Sequence, residues 1–320
     1  MTTLPRERAE EAFRQVAVWS EQRDFAGYDK HDALLSPLLH RATLGWAPLE
    51  MLAVQAVMRA PINLRPFLGV RTARNPKGIG LFLRAVAGQG EAYRPQVREL
   101  ADWLLAHRAP GERDACWGYQ FPWPSLYFRA EAGHPNAIVT AFAAEGLLDA
   151  YRVLGDKRHL EAARSAADWL LALPRLIDEP ERLCLGYTCE AHTRVININA
   201  VIAGFLSRLP GADAATSNTA RRLLRYVGSC QTAEGAWYYT DPAGDSRIEH
   251  DSYHTGGILD GLCDYLAANE DPVVRSAYER GLDFYARRLF EANGWPRWER
   301  RSRYPADVHG AAQGIITLAR

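Results

Sequence analysis

Cys116-Trp117-Gly118-Tyr119, followed after a polar stretch by Asn136-Ala137-Ile138-Val139-Thr140-Ala141-Phe142-Ala143-Ala144, reads as an aromatic loop feeding a helix that is small and apolar on every side. A helix without a polar face has to be enclosed by other helices. The unit recurs. Loops Leu185-Gly186-Tyr187, Ala236-Trp237-Tyr238-Tyr239 and Gly294-Trp295-Pro296-Arg297-Trp298 run into apolar patterns beginning at Asn199-Ala200, Thr255-Gly256 and His309-Gly310. The period, roughly 55 to 65 residues, exceeds the helix-pair repeats of solenoids and fits a helical hairpin with a long loop.

The other half of the hairpin repeats as well. Ala101-Asp102-Trp103-Leu104-Leu105-Ala106 returns letter for letter as Ala167-Asp168-Trp169-Leu170-Leu171-Ala172, with an echo in Leu282-Asp283-Phe284-Tyr285-Ala286. These second helices are amphipathic, with Arg- and Glu-rich faces. Apolar periodicity places helices at 4–23, 33–42, 48–60, 78–88, 91–108, 136–154, 157–173, 199–208, 213–230, 255–268, 271–290 and 309–319, and no convincing strand. Buried inner helices paired with half-exposed outer ones describe an all-α protein, an (α/α)6 toroid of about six hairpins. A single domain over residues 1–320 is expected, less regular over 1–76 and clearly repeated over 77–320. The outer-to-inner loops then gather at one end, and function is expected at that mouth.

Composition narrows the function classes. Lys plus Arg and Asp plus Glu are both 38, so no global field draws the chain to nucleic acid or an anionic membrane. No stretch approaches the roughly 20 apolar residues of a membrane span, and Met1–Glu11 lacks the apolar core of a secretory signal. Five scattered cysteines are not a disulfide framework and agree with a reducing compartment. A cytoplasmic location is expected.

Acid and imidazole recur at equivalent mouth positions: Asp251 with His254, Asp307 with His309, and Glu190 with His192. Both residue types titrate within reach of neutral pH once their surroundings shift them, so Asp251, His254, Asp307 and His309 are the acid–base candidates, with Glu190 next. The competing reading is that such residues cap helix starts. Asn136, Asn199 and Thr255 share one register there and are expected to cap. Converging helix N-termini favour an anionic group such as a uronate carboxylate or a phosphate. Trp117, Tyr119, Trp123, Tyr127, Trp237 and Tyr304, with His192, Asn136 and Asn199, are candidate substrate-binding residues, because amphipathic rings suit sugar faces and isoprenoid chains alike. Cys184, Cys189 and His192 do not have the spacing of a zinc site, and neither a metal nor a cofactor is expected. Asn75-Pro76-Lys77-Gly78 has one Gly and one Lys, short of a phosphate-binding loop, and reads as a turn.

Several stretches resemble a bacterial family of exopolysaccharide biosynthesis proteins of the VpsJ type, related to six-hairpin glycosidase and terpenoid-cyclase toroids. They are Gly27-Tyr28-Asp29 with Asp32-Ala33-Leu34, Pro61-Ile62-Asn63-Leu64-Arg65-Pro66, Asn75-Pro76-Lys77-Gly78-Ile79-Gly80-Leu81-Phe82, Cys116-Trp117-Gly118-Tyr119, His254-Thr255-Gly256, and Tyr304-Pro305-Ala306-Asp307-Val308-His309 through Ala312-Gln313. The resemblance implies the toroid and a role in surface-glycan assembly, on a saccharide or lipid-linked saccharide, beside membrane-associated synthesis machinery. It carries over no catalytic set. The Asp-x-Asp-Asp acid motif of class II terpene cyclases is absent, although Gln231-Thr232-Ala233-Glu234-Gly235-Ala236-Trp237 looks like their Gln-and-Trp repeat. Three readings follow: a glycan hydrolase, lyase or uronate epimerase; an isoprenoid-processing toroid; and a non-catalytic scaffold. The sugar reading predicts a groove with polar walls, and the isoprenoid reading a dry apolar pocket.

Overall fold

Inner and outer helices alternate as the repeat predicts. The computed structural model describes residues 4–124, 129–305 and 307–320, so Tyr127 lies outside the described residues. Within them the helices are α1 (Leu4–Glu21), α2 (Pro37–Thr43), α3 (Ala47–Arg59), α4 (Pro76–Ala87), α5 (Arg94–Ala106), α6 (Ala137–Leu154), α7 (Lys157–Leu171), α8 (Ile196–Arg208), α9 (Ala214–Ser229), α10 (Ser252–Leu266), α11 (Pro272–Arg288) and α12 (Val308–Leu318). From α4 onward the even-numbered helices form the inner layer of an α/α toroid. Inner α6 buries twelve of its eighteen residues, whereas outer α9 buries five of sixteen. A small separate core of Ala33, Leu34, Val54 and Val57 sits under the N-terminal helices.

Small residues let the inner helices touch backbone to backbone. A Cβ added to Gly80 of α4 would lie 2.4 Å from the Phe142 carbonyl of α6, and one added to Gly261 of α10 would lie 2.2 Å from the Ala200 carbonyl of α8. Most inner starts are capped by a side chain. Asn75, Asn136, Asp251 and Asp307 accept from the backbone N–H of Lys77 (3.0 Å), Val139 (3.1 Å), His254 (2.7 Å) and His309 (2.9 Å). Val195, which opens α8, has no side chain able to cap.

The outer-to-inner loops are not structureless, which departs from the strand-free expectation. They carry short antiparallel pairs: β1 (Trp123–Pro124) with β2 (Arg129–Ala130), β3 (Arg175–Asp178) with β4 (Leu183–Leu185), and β5 (Arg194–Val195) with β6 (Thr240–Asp241). Strands of two to four residues leave too little periodicity to read, but buried loop amides need partners, which come from the same loop in β1–β2 and β3–β4 and from the neighbouring loop in β5–β6. Each loop also laps onto the helix of the preceding repeat. The Ala137 N–H of α6 donates to the Tyr187 carbonyl (2.9 Å), the Ile196 N–H of α8 to that of Tyr239 (3.0 Å), and the Ser252 hydroxyl of α10 to that of Arg297 (3.3 Å). The opposite end is crossed by charge pairs. Glu145 of α6 meets Arg84 of α4, Asp149 of α6 meets Arg208 of α8 at 2.5 Å, and Arg320, just past α12, meets Asp264 of α10.

Candidate functional site

Five inner helices open at the mouth, and their second residues form one register: Lys77, Ile138, Asn197, Tyr253 and His309. Lys77 Nζ donates to the Tyr253 hydroxyl at 2.6 Å and stands 5.4 Å from the centre of the Phe142 ring. The Tyr253 ring meets two imidazoles edge-on, His254 at 5.2 Å and His309 at 5.6 Å. Three loop tyrosines complete the ring. Tyr119, Tyr187 and Tyr239 each lie two residues after a buried anchor, namely Trp117, Leu185 and Trp237.

The anchors explain where the expected platforms go. Trp117 and Trp237 are 0% and 2% exposed, so they belong to the core and do not face a ligand. Their indole N–H groups donate to the last-turn carbonyls of Leu104 in α5 (2.9 Å) and Val227 in α9 (2.8 Å), which stitches each loop to the outer helix it leaves. Thr140 and Asn199, both fourth residues of their helices, hold the anchors from the inner side. Thr140 bonds the Trp117 backbone, and Asn199 Oδ1 accepts from the Leu185 N–H at 2.8 Å. The expected shared capping register therefore splits. Asn136 caps α6, whereas Asn199 and Thr255 lie one turn inside α8 and α10, because those helices begin earlier than the apolar pattern suggests.

Both acid–imidazole pairs form at 2.6 and 2.8 Å. Asp251 takes the His254 N–H on Oδ1 and the His254 ring Nδ1 on Oδ2 at 2.6 Å. Asp307 holds the His309 N–H and ring Nδ1 (2.8 Å) and lies 3.4 Å from Lys30 Nζ. A carboxylate on Nδ1 places the ring proton there and leaves Nε2 as the basic nitrogen. Burial opposes ionisation of Asp307, but the His309 hydrogen bonds and Lys30 hold its carboxyl well below the usual carboxylate range.

The rest of the ring is arranged to stay protonated or neutral. Burial pushes the Tyr119, Tyr187 and Tyr239 hydroxyls upward, so at neutral pH they are donors. Burial works against the Lys77 ammonium, while the Tyr253 hydrogen bond and the nearby Asp29 carboxylate work for it. His31 is pushed down to about 4, chiefly by burial, with Lys30, His309 and Lys77 adding to the effect and Asp29 opposing it. Lys77, Tyr119, Tyr239, Tyr253 and His254 are closely surrounded yet keep part of their surface open to solvent, as the walls of a recess do.

Trp123 joins this aromatic wall, edge-on to Tyr119 at 5.8 Å and Tyr187 at 5.5 Å. The remaining candidates lie outside it. Glu190 is exposed and meets His134 Nε2 at 3.0 Å, His192 is exposed, and Tyr304 is 64% exposed. Sequence reasoning passed over Tyr187, Tyr239, Tyr253 and Asn197, and it set Lys77 aside in a turn where the structure has the first turn of α4, capped by Asn75. The available signal was the second position after each inner cap, and the second after each loop anchor.

No family model matches the chain, and the search of curated proteins returns no match. Solved structures do match in fold. A cellobiose 2-epimerase from Spirochaeta thermophila aligns at 13% identity and TM-score 0.57, over 91% of this chain and 84% of that one. A UGL variant with dGlcA-Glc-Rha-Glc aligns at 15% and 0.59, over 91% and 86%. A possible member of the GH105 family from Salmonella enterica serovar Paratyphi A aligns at 15% and 0.56, over 89% and 80%. These likenesses establish the α/α toroid.

Proposed function

We propose that the mouth binds a saccharide and moves a proton on and off one of its carbons, as an epimerase or isomerase does. The observation that carries this reading is the pair of aspartate-held imidazoles, His254 and His309, both packed on the Tyr253 ring. One Nε2 takes the proton from the carbon beside a carbonyl, and the electron pair moves onto the carbonyl oxygen as an enediolate. The other Nε2, protonated, returns a proton to the same or the neighbouring carbon. Tyr253 accepts from Lys77 through its oxygen, so its own proton is free to donate to the substrate oxygen where charge develops. Trp123 and Tyr119 supply the flat surfaces that pack against sugar C–H faces.

Hydrolysis fits these groups less well. It needs two free carboxylates about 5 to 10 Å apart, and Asp251 and Asp307 are already committed to a cap and an imidazole. The isoprenoid reading requires a dry apolar cavity that tolerates a carbocation, and an ammonium among phenols is neither. The epimerase and glycosidase names of the structural neighbours support a saccharide substrate. The stretches that resemble the exopolysaccharide family also support it, because those containing Asp29, Lys77, Tyr119, His254 and His309 meet at this mouth. A place in surface-glycan assembly, in the cytoplasm, on a free or lipid-linked saccharide beside membrane-bound machinery, belongs to the same proposal. No helix among the described residues is long and apolar enough to cross a membrane.

The test is incubation with surface glycan and its component sugars in deuterated water, followed by proton NMR. Deuterium appearing at a ring or C2 carbon supports proton transfer, and His254→Gln or His309→Gln then lowers the rate by about 10²–10⁴-fold. New reducing ends without exchange would make the protein a hydrolase. An unsaturated uronate would make it a lyase, and no change at all would leave a binding or scaffold role.

A further inference from the structure

Proton transfer by two imidazoles does not require a half-buried ammonium without a carboxylate partner, yet Lys77 is one. Its hydrogen bond goes to the Tyr253 hydroxyl, and among the described residues no Asp or Glu oxygen lies within ion-pairing distance of Nζ. Asp29 is the acid it senses. Both Asp29 oxygens are taken, one by the His31 N–H (2.9 Å) and the other by Asn75 Nδ2 (3.4 Å). Cations elsewhere in the interior are treated differently: Arg65 meets Asp32 at 2.5 Å, Arg208 meets Asp149, and Arg225 meets Asp271 at 3.1 Å. A desolvated charge without a counter-ion is costly, and the cost is recovered when a ligand brings the opposite charge.

The surroundings are of the same kind. Tyr119, hydrogen-bonded to Tyr187, and Tyr239 bring hydroxyls near Lys77. Asn197, at the second position of α8, is 6% exposed and has an Oδ1 with no hydrogen-bond partner, and α8 is the inner helix whose start lacks a side-chain cap. We infer that the saccharide is anionic, and that Lys77 binds the carboxylate or phosphate oxygens of a charged sugar, with the Tyr119 and Tyr239 hydroxyls beside it and the Asn197 Oδ1 free to accept from a hydroxyl of the same sugar. The inference rests on the saccharide reading and names the class of sugar.

Titration calorimetry on the full chain tests it, with D-glucuronate, glucose 6-phosphate and methyl glucoside as probes and Lys77→Met and Lys77→Arg as variants. A charged sugar is expected to bind at least about tenfold tighter than methyl glucoside, less tightly as salt is added. Lys77→Met erases that preference and Lys77→Arg keeps it. Whichever charged probe is preferred identifies carboxylate or phosphate. Lys77→Met is also expected to melt no lower than the parent, because it removes an unpaired interior charge. A lysine that only anchors Tyr253 would instead give a lower melting temperature, which overturns the inference. So does equal binding of all three probes, or a preference that survives in Lys77→Met. Deuterium exchange on a neutral sugar without charge preference defeats the subsite and spares proton transfer. Selective binding of a charged sugar without exchange does the reverse.

Discussion

Asp251 uses one carboxylate for two jobs, closing the first turn of α10 and holding the His254 ring. Asn caps a helix about as well as Asp but presents no charge to an imidazole, so the two jobs can be separated. Asp251→Asn should keep the melting temperature and lose proton exchange by about 10²-fold or more. Asp251→Ala should lose exchange and also about 1 kcal/mol of stability, read by denaturant unfolding. His31 gives a pH prediction. Its pKa is near 6.5 in the unfolded chain and about 4 in the folded one, so between those values the unfolded state binds more protons. Stability therefore falls as pH drops through that window, by on the order of 2–3 kcal/mol in full, and His31→Gln should flatten this part of the profile. The His254 and His309 pairs were legible because acid and imidazole stand two or three residues apart in the sequence. Lys77 and Tyr253 were not, because 176 residues separate them and only the shared position after two inner caps brings them together.

Helices declare themselves through periodicity, and here the order of inner and outer members could be read directly. What could not be read was which glycines matter. Gly261 and Gly257 both lie in α10, but a Cβ on Gly261 would strike the Ala200 carbonyl, whereas one on Gly257 would rest 4.0 Å from Val201 Cγ2. Gly261→Ala should destabilise by about 1–3 kcal/mol through overpacking, and Gly257→Ala should stabilise by up to about 1 kcal/mol through helix propensity. Thermal melts of the two variants settle the contrast. The loops hid more. Aromatic residues in polar company look like a binding surface, but the indoles of Trp117 and Trp237 turn inward to reach helix-end carbonyls, and the residues two places on reach the mouth. Trp237→Phe is accordingly expected to cost about 1–3 kcal/mol, by removing the buried indole hydrogen bond to the Val227 carbonyl and part of the ring's packing, with no loss of sugar affinity in calorimetry.

At the scale of the whole toroid, the two ends are built from different chemistry. The mouth gathers phenol hydroxyls, two aspartate-held imidazoles and the Lys77 ammonium, while the far end is crossed by matched charges. Arg208→Met leaves Glu145 to Arg84 and Asp149 to Arg84 and Arg152, and is expected to lower stability by about 1–3 kcal/mol, measured by urea unfolding. The packing of the inner helices also bears on traffic. With Gly80 against Phe142, Gly261 against Ala200, and ion pairs of Glu145, Arg208 and Asp264 beyond them, a saccharide held at the mouth as proposed should leave by the side it entered, so product is expected to compete with substrate in initial-rate kinetics.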